Sequence, residues 1–197
     1  MQTRRRFWPL TAWQWAGAAT LAAAAALRLY DLSAKVLHHD EGVNGMFMTN
    51  LFRTGYYHYD PSNFHGPTLY YFGWITTTIN SFFYGKEGLS TFAIRLVTAL
   101  FGIGIVWLIL ELRRELGAFG ALGAAALMAV APGFVFFSRY FIHEILFAFF
   151  TLAVVVAGFD EAGQVRWKTL WKHVPPTPHG PAEQLLDWLG SRGWVVE

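Results

Sequence analysis

The chain has 197 residues, of which 54% are hydrophobic, 18% aromatic and only 14% charged, against about 25% charged in ordinary soluble domains. Mean hydropathy is +0.33 and the formal net charge is +2. These values exclude a disordered chain and a nucleic-acid-binding domain, and the absence of Cys excludes disulfides, Cys-based zinc sites and a Cys nucleophile.

A helix that crosses a bilayer needs about 20 mostly apolar residues. The chain reads as an all-α integral membrane protein with about four transmembrane helices, at about 8–29, 90–112, 116–137 and 141–159, and interfacial helices in an outer loop, 30–89. Residues 1–160 form the transmembrane region and 161–197 a cytoplasmic tail. Arg4, Arg5 and Arg6 hold the N-terminus inside. Thr3-Arg4-Arg5-Arg6-Phe7 has the look of a twin-arginine export signal, but three later spans favour an uncleaved first helix. Gly17, Ala18, Ala22 and Ala25 suit it to close helix packing, and Trp8, Trp13, Trp15, Trp107 and Trp167 fall near inner boundaries.

The outer loop opens with His38-His39-Asp40-Glu41-Gly42. Val43, Met46, Phe47, Leu51 and Phe52 then recur at near-helical spacing, predicting a short amphipathic surface helix that ends at Gly55. Asp40 is either the N-cap of that helix or a carboxylate at the mouth of a site, placed to act as general base. Tyr56-Tyr57-His58-Tyr59-Asp60-Pro61 is a turn region dense in aromatics. Pro67–Gly85 is uncharged but carries Thr68, Thr76, Thr77, Thr78, Asn80 and Ser81. If it does not span, Arg4, Arg5, Arg6, Arg113, Arg114, Arg166, Lys168, Lys172 and Arg192 lie inside, outnumbering Arg28, Lys35, Arg53, Lys86, Arg95 and Arg139 outside. If it spans, the balance reverses, so the stretch is read as lying along or dipping into the outer interface.

Ser138-Arg139-Tyr140-Phe141-Ile142-His143-Glu144 joins the third and fourth spans and puts Glu144 about one turn inside the fourth. An ionisable group there faces a cavity or pairs, with Arg139 or Arg95 as the candidate partners. Arg139 and Arg95 each either snorkel or hold a phosphate, which a guanidinium fork suits. His38, His39, His58, His65 and His143 all fall outside, near Asp40, Glu41, Asp60 and Glu144. No metal-ligand spacing is present, so hydrogen bonding and substrate contact are favoured and no cofactor is expected, a divalent metal being the alternative. No P-loop, nucleotide fingerprint or Ser-His-Asp pattern occurs. The tail contains Pro175-Pro176-Thr177-Pro178, a linker signal, and a short helix pattern at Ala182–Leu189.

The acidic pair after the first span, the surface helix, His65-Gly66-Pro67 followed by Leu69-Tyr70-Tyr71, Arg95-Leu96 with Leu100-Phe101-Gly102, and Ser138-Arg139-Tyr140-Phe141 with His143-Glu144 form an ordered set. Over about residues 7–160 the set resembles the N-terminal part of GT-C superfamily membrane glycosyltransferases, which include the protein O-mannosyltransferases and the lipid A aminoarabinose transferase. Its closest likeness is to the flippase-activity-associated glycosylation branch.

The resemblance implies transfer of a sugar from a polyprenyl-phosphate donor to a hydroxyl of a glycan, lipid or protein, with inversion, at the outer face of the plasma membrane. By that resemblance Asp40, with Glu41 beside it, and Glu144 are the catalytic candidates. Arg139 would hold the lipid phosphate, and His143, His39, His65, Tyr57 and Arg95 are further substrate-binding candidates. Family members are longer, so the chain is expected to be a fragment, a truncated product or one piece of a split protein, doubtfully active alone. The alternative is a non-catalytic membrane subunit or flippase accessory, working with a further membrane subunit. Packing positions such as Gly102, Gly104 and Gly123 would then matter more than Asp40.

Overall fold

The structure is a computed structural model and describes residues 11–63 and 65–159, the side chains of residues 86 and 87 excepted. The tail signals and the first residues of the expected first span lie outside the described residues. The helices belong to one compact unit ending at Ala157.

The first helix, α1, spans Ala12–Leu29. It starts on a capping box: the Gln14 N–H donates to the Thr11 hydroxyl (3.3 Å) and the Thr11 N–H to the Gln14 side chain (2.8 Å). Asp31, at φ 45°, then turns the chain in the left-handed region. The surface helix α2 is His39–Thr54, and Gly55 (φ 72°) closes it where the sequence predicts. Its cap is His38 rather than Asp40, because the chain enters the helix two residues earlier. Its buried face matches the apolar stripe read from the sequence only in part. Leu51 is buried and Phe47 and Phe52 pack against the core, but Glu41, Asn44 and Met48 also point inward and Met46 is exposed, because the face meets polar backbone as well as apolar side chains.

The uncharged stretch with its many hydroxyls forms α3, Thr68–Tyr84, and a 3-10 turn at Gly85–Gly88 leads on. Next, α4 runs Thr91–Glu111 from a Ser90 cap whose hydroxyl accepts the Ala93 N–H at 3.2 Å. At 1.5 Å per residue it is about 31 Å long, which matches a hydrocarbon core of about 30 Å. Among the described residues it is the one helix long and apolar enough to cross a bilayer.

The expected span 116–137 is not one helix. It lies in α5, Arg113–Val130, which bends at Gly117 (φ 73°), and in the short α6, Pro132–Phe137. The break has a local cause: Pro132 has no N–H and pushes Ala131 to extended backbone (φ −57°, ψ 119°). After a non-helical elbow, 138–143, α7 runs Glu144–Ala157. Glu144 is therefore the first residue of α7 and exposed, not one turn inside.

Contacts fix the relative directions. Arg113 lies over the Trp13 ring (4.6 Å) and Leu110 faces Gly17, which places the start of α1 beside the end of α4. At the opposite end Arg28 reaches Ala129 and Ser138. Ala24, Ile105, Val106, Ala125, Ala129 and Ile145 form the core shared by α1, α4, α5 and α7. A second core joins Met48 and Leu51 of α2, Leu69 and Tyr70 of α3, Val97 of α4 and Phe141 of the elbow.

The start of α3 meets the elbow, where His143 Nε2 is 3.2 Å from the Gly66 carbonyl, and its end runs back to the start of α4, where Asn80 donates to the Gly88 carbonyl (2.9 Å). Both ends of α3 thus lie where α4 and α7 begin. Gly102 and Gly104 are close-packing positions: a methyl at Gly102 would overlap Ser138, and one at Gly104 would sit 2.7 Å from Phe149. Gly123 is not, since nothing lies within 4 Å of its added methyl.

Candidate functional site

Functional side chains gather at the end of the bundle where α1 stops and α2, α4 and α7 start. Helix starts bring N–H groups and positive dipole ends to this face. The organising contact is a buried ion pair. Arg95 Nε and Nη2 donate to Glu41 Oε1 and Oε2, each at 2.7 Å. Glu41 is 0% exposed and Arg95 2%. The carboxylate also accepts the Phe141 N–H (2.9 Å) and the His38 N–H (3.0 Å). Arg95 donates further to the carbonyls of Leu32 (2.8 Å), Lys35 (3.0 Å) and Val36 (3.2 Å).

Burial raises the Glu41 pKa, but the Arg95 and backbone hydrogen bonds and the Arg95 charge outweigh it and hold the group below its ordinary value. Glu41 and Arg95 therefore use their polar atoms on each other and on backbone. Both are buried, and only Arg95 reaches the wall of the neighbouring cavity.

Asp40 has the opposite environment. It is the second residue of α2, its side chain is 68% exposed, and His38 Nδ1 lies 3.7 Å from its carboxylate. The His38 ring meets Tyr140 edge-on at 5.8 Å. Tyr140 in turn lines a cavity of about 430 Å³. Arg139, Arg95, Lys35 and Asp31 supply its charged lining, and Leu27, Leu32, Val130, Val135 and Phe136 its apolar wall. Arg139 is half-buried and aimed by the end of α1, donating to the carbonyls of Leu27 (3.1 Å) and Asp31 (3.0 Å). A cleft with cationic lining and a greasy wall at a bundle end suits an anionic headgroup with a hydrocarbon tail.

An aromatic cluster gathers where the start of α3 meets the elbow. His65 and His143 stack at 4.6 Å (15°), and Tyr70 meets His143 edge-on at 5.4 Å. Burial lowers the His143 pKa and His65 adds to the shift, against the opposing pull of the Gly66 carbonyl and Glu144. Tyr57 is held between Phe47 and Tyr70, with its hydroxyl donating to the His65 carbonyl at 3.0 Å. That ring is local packing, whereas Tyr56 and Tyr59 are exposed. His39 is exposed.

Glu144 pairs with neither Arg139 nor Arg95. Among the described residues no three His, Asp or Glu side chains converge to hold a metal ion. Lys35, Asn44, Tyr70, Ser138 and the buried Arg28 also build this end, and sequence reading missed their roles. The one available signal is Asn44, a polar residue three after Glu41 and so on the same helix face.

Among the described residues these features define a helical bundle with one helix long and apolar enough to cross a membrane and with acidic and basic side chains gathered at one end. Residues 66–171, just over half of the chain, match the family model for dolichyl-phosphate-mannose-protein mannosyltransferase. The chain belongs to that family, a family of glycosyltransferases consistent with the GT-C superfamily. The match includes Arg95, Arg139, His143 and Glu144 and begins after the Asp40–Glu41 motif. No curated protein and no solved structure shows significant similarity to the chain.

Proposed function

We propose that this bundle end is where a sugar leaves a polyprenyl-phosphate carrier for an acceptor hydroxyl, in keeping with a protein acceptor. The carrying observation is the cationic, apolar-walled cleft, linked through Tyr140 and His38 to the exposed Asp40, in a chain of this family. Arg139 and Lys35 hold the phosphate, and the wall takes the first prenyl units. Asp40 accepts the acceptor hydroxyl's proton as that oxygen bonds to the anomeric carbon. The bond from that carbon to the phosphate oxygen breaks, and the phosphate leaves with the electron pair, stabilised by Arg139. Glu144 and His143 line the acceptor side. Glu41 and Arg95 act as scaffold. Replacing Asp40 with Asn keeps the shape and removes the base. Transfer from polyprenyl-phosphate mannose to a Ser/Thr peptide should fall at least about 100-fold. Unchanged transfer would favour the accessory-subunit reading.

We also propose that α1, α4, α5–α6 and α7 cross the plasma membrane with the N-terminus cytoplasmic, and that α3 lies at the outer interface. The alternating directions of these helices, the shared end of both α3 termini and the Lys/Arg balance support this. The chain lacks Cys, so single-cysteine labelling starts without background. Ser138 is buried, which makes it a poor probe, whereas Glu144 is exposed at the start of α7. Ser62→Cys and Glu144→Cys should both react with an impermeant maleimide on intact cells. Protection of Glu144→Cys until lysis would put the two acidic motifs on opposite sides.

A further inference from the structure

We propose that Asn44 is a positioning residue for sugar transfer: with Glu41 it holds the Phe141 backbone by its carbonyl and its N–H, and so sets the segment bearing His143 and Glu144 against the first turn of α2. The inference rests on this face being the transfer site. Glu41 and Asn44 are three apart and share the buried face of α2. Glu41 Oε1 accepts the Phe141 N–H at 2.9 Å, and Asn44 Nδ2 donates to the Phe141 carbonyl at 3.0 Å. The other end of the Asn44 amide is fixed too, since its Oδ1 accepts the Tyr70 hydroxyl at 2.9 Å. Asn44 is 5% exposed, and Tyr70 and Phe141 are 0%. In this buried setting a polar group left without its partner is costly, so both ends of the amide hold their geometry.

The chemistry of the position is specific. It needs a donor toward a carbonyl and an acceptor toward a hydroxyl on one short side chain, and a neutral amide has both. Asp would turn a negative oxygen to the Phe141 carbonyl while still accepting from Tyr70.

The two halves of the elbow have separate anchors. Ser138 is held by Arg28, and Arg139 by the carbonyls of Leu27 and Asp31. Residues 141–144 are held instead by the Phe141 bonds to α2, by the packing of Phe141 in the second core and by the His143 contacts with Gly66, His65 and Tyr70. Loss of the Asn44 bond therefore loosens the His143–Glu144 half and leaves the phosphate cleft at Arg139 in place. Asp40 is four residues before Asn44 on the same helix, so the clamp sets the spacing between Asp40 and that half.

The test uses the full chain in nanodiscs with Asn44→Asp and the milder Tyr70→Phe. Donor kinetics are read with polyprenyl-phosphate mannose and a Ser/Thr peptide, beside hydrogen exchange of peptides covering 138–147 and α4. For Asn44→Asp, kcat should fall about tenfold or more with donor KM within about twofold, because misplacing a reacting group acts on the chemical step. Exchange should quicken in 141–147 and stay unchanged in α4. Tyr70→Phe should shift both readouts in the same direction by less. Unchanged kcat, or a collapse of both constants with faster exchange throughout α4, would overturn the positioning role. If the unsubstituted chain transfers no sugar, the transfer reading falls by itself. The clamp is then decided by exchange and by spin labels on His39→Cys and Phe147→Cys. Asn44→Asp should broaden their distance distribution, and an unchanged distribution would overturn the clamp.

Discussion

Replacing Glu41 with Ala should destabilise the folded chain by about 3–5 kcal/mol, because it leaves a buried guanidinium without its carboxylate. Three losses coincide in that one change. The Arg95 charge loses its counter-ion, the Phe141 N–H loses its acceptor, and the His38 N–H loses its half of the helix cap. Arg95→Ala should cost a comparable amount, since it strands the carboxylate. The double variant Glu41→Met with Arg95→Met should recover much of the loss, because two apolar side chains leave no buried charge. Unfolding followed in detergent micelles for the four proteins of this cycle gives the coupling. Additive losses would mean that the pair is not the organising contact.

The pH dependence follows from the same bonds. The folded Glu41 pKa is lowered, so its contribution is fully present above the ordinary carboxylate value of about 4.3. It is lost as pH falls from there through the lower folded value. Glu41→Gln should therefore flatten that acidic limb of the stability curve.

The second large effect is expected at Arg28. Its guanidinium is fully buried at the end of α1, and among the described residues no carboxylate pairs with it. It donates instead to the carbonyls of Ala129 (2.8 Å), Met128 (3.0 Å) and Ala24 (3.3 Å) and to the Ser138 hydroxyl (3.3 Å). The reason lies in Pro132. In a continuous helix the residue 132 N–H would donate to the Met128 carbonyl, and Pro has none. Arg28 supplies the missing donor and places its charge at the negative end of α5.

Arg28→Ala should therefore cost about 3 kcal/mol or more, from two orphaned carbonyls at about 1–3 kcal/mol each and the cavity left behind. Pro132→Ala restores the backbone donor, so it should recover about 1 kcal/mol in the Arg28→Ala background and help less or not at all in the unsubstituted chain. Equal effects in both backgrounds would break the link between Arg28 and the proline. Gly102→Ala, which crowds Ser138 and Arg28, should cost about 1–3 kcal/mol, whereas Gly123→Ala serves as the neutral control.

Much of this was legible in the residues. The uncharged centre of Thr91–Glu111 was legible as an apolar helix, and Gly55 marked an end that local backbone chemistry enforces. The ordered motifs were enough to place the chain among the membrane glycosyltransferases, which the family match bears out. Pro132 was equally visible, yet the third span was read through it, because hydropathy alone does not register a missing N–H.

The site was less legible, for a physical reason. Asp40 and Glu41 are adjacent and chemically alike, but successive helical positions point about 100° apart. One therefore meets solvent and the other a guanidinium 54 positions later in the chain. Likewise Arg28, Arg95 and Arg139 are three outer arginines of the same kind in the sequence. Tertiary packing alone made the first a cap for α5, the second a scaffold for Glu41 and the third a lining of the cleft. Composition, helix length and capping are local properties that the sequence determines by itself. Which carboxylate is left free and which cation is used up depends on pairings across 54 to 110 positions, and only the folded chain decides those.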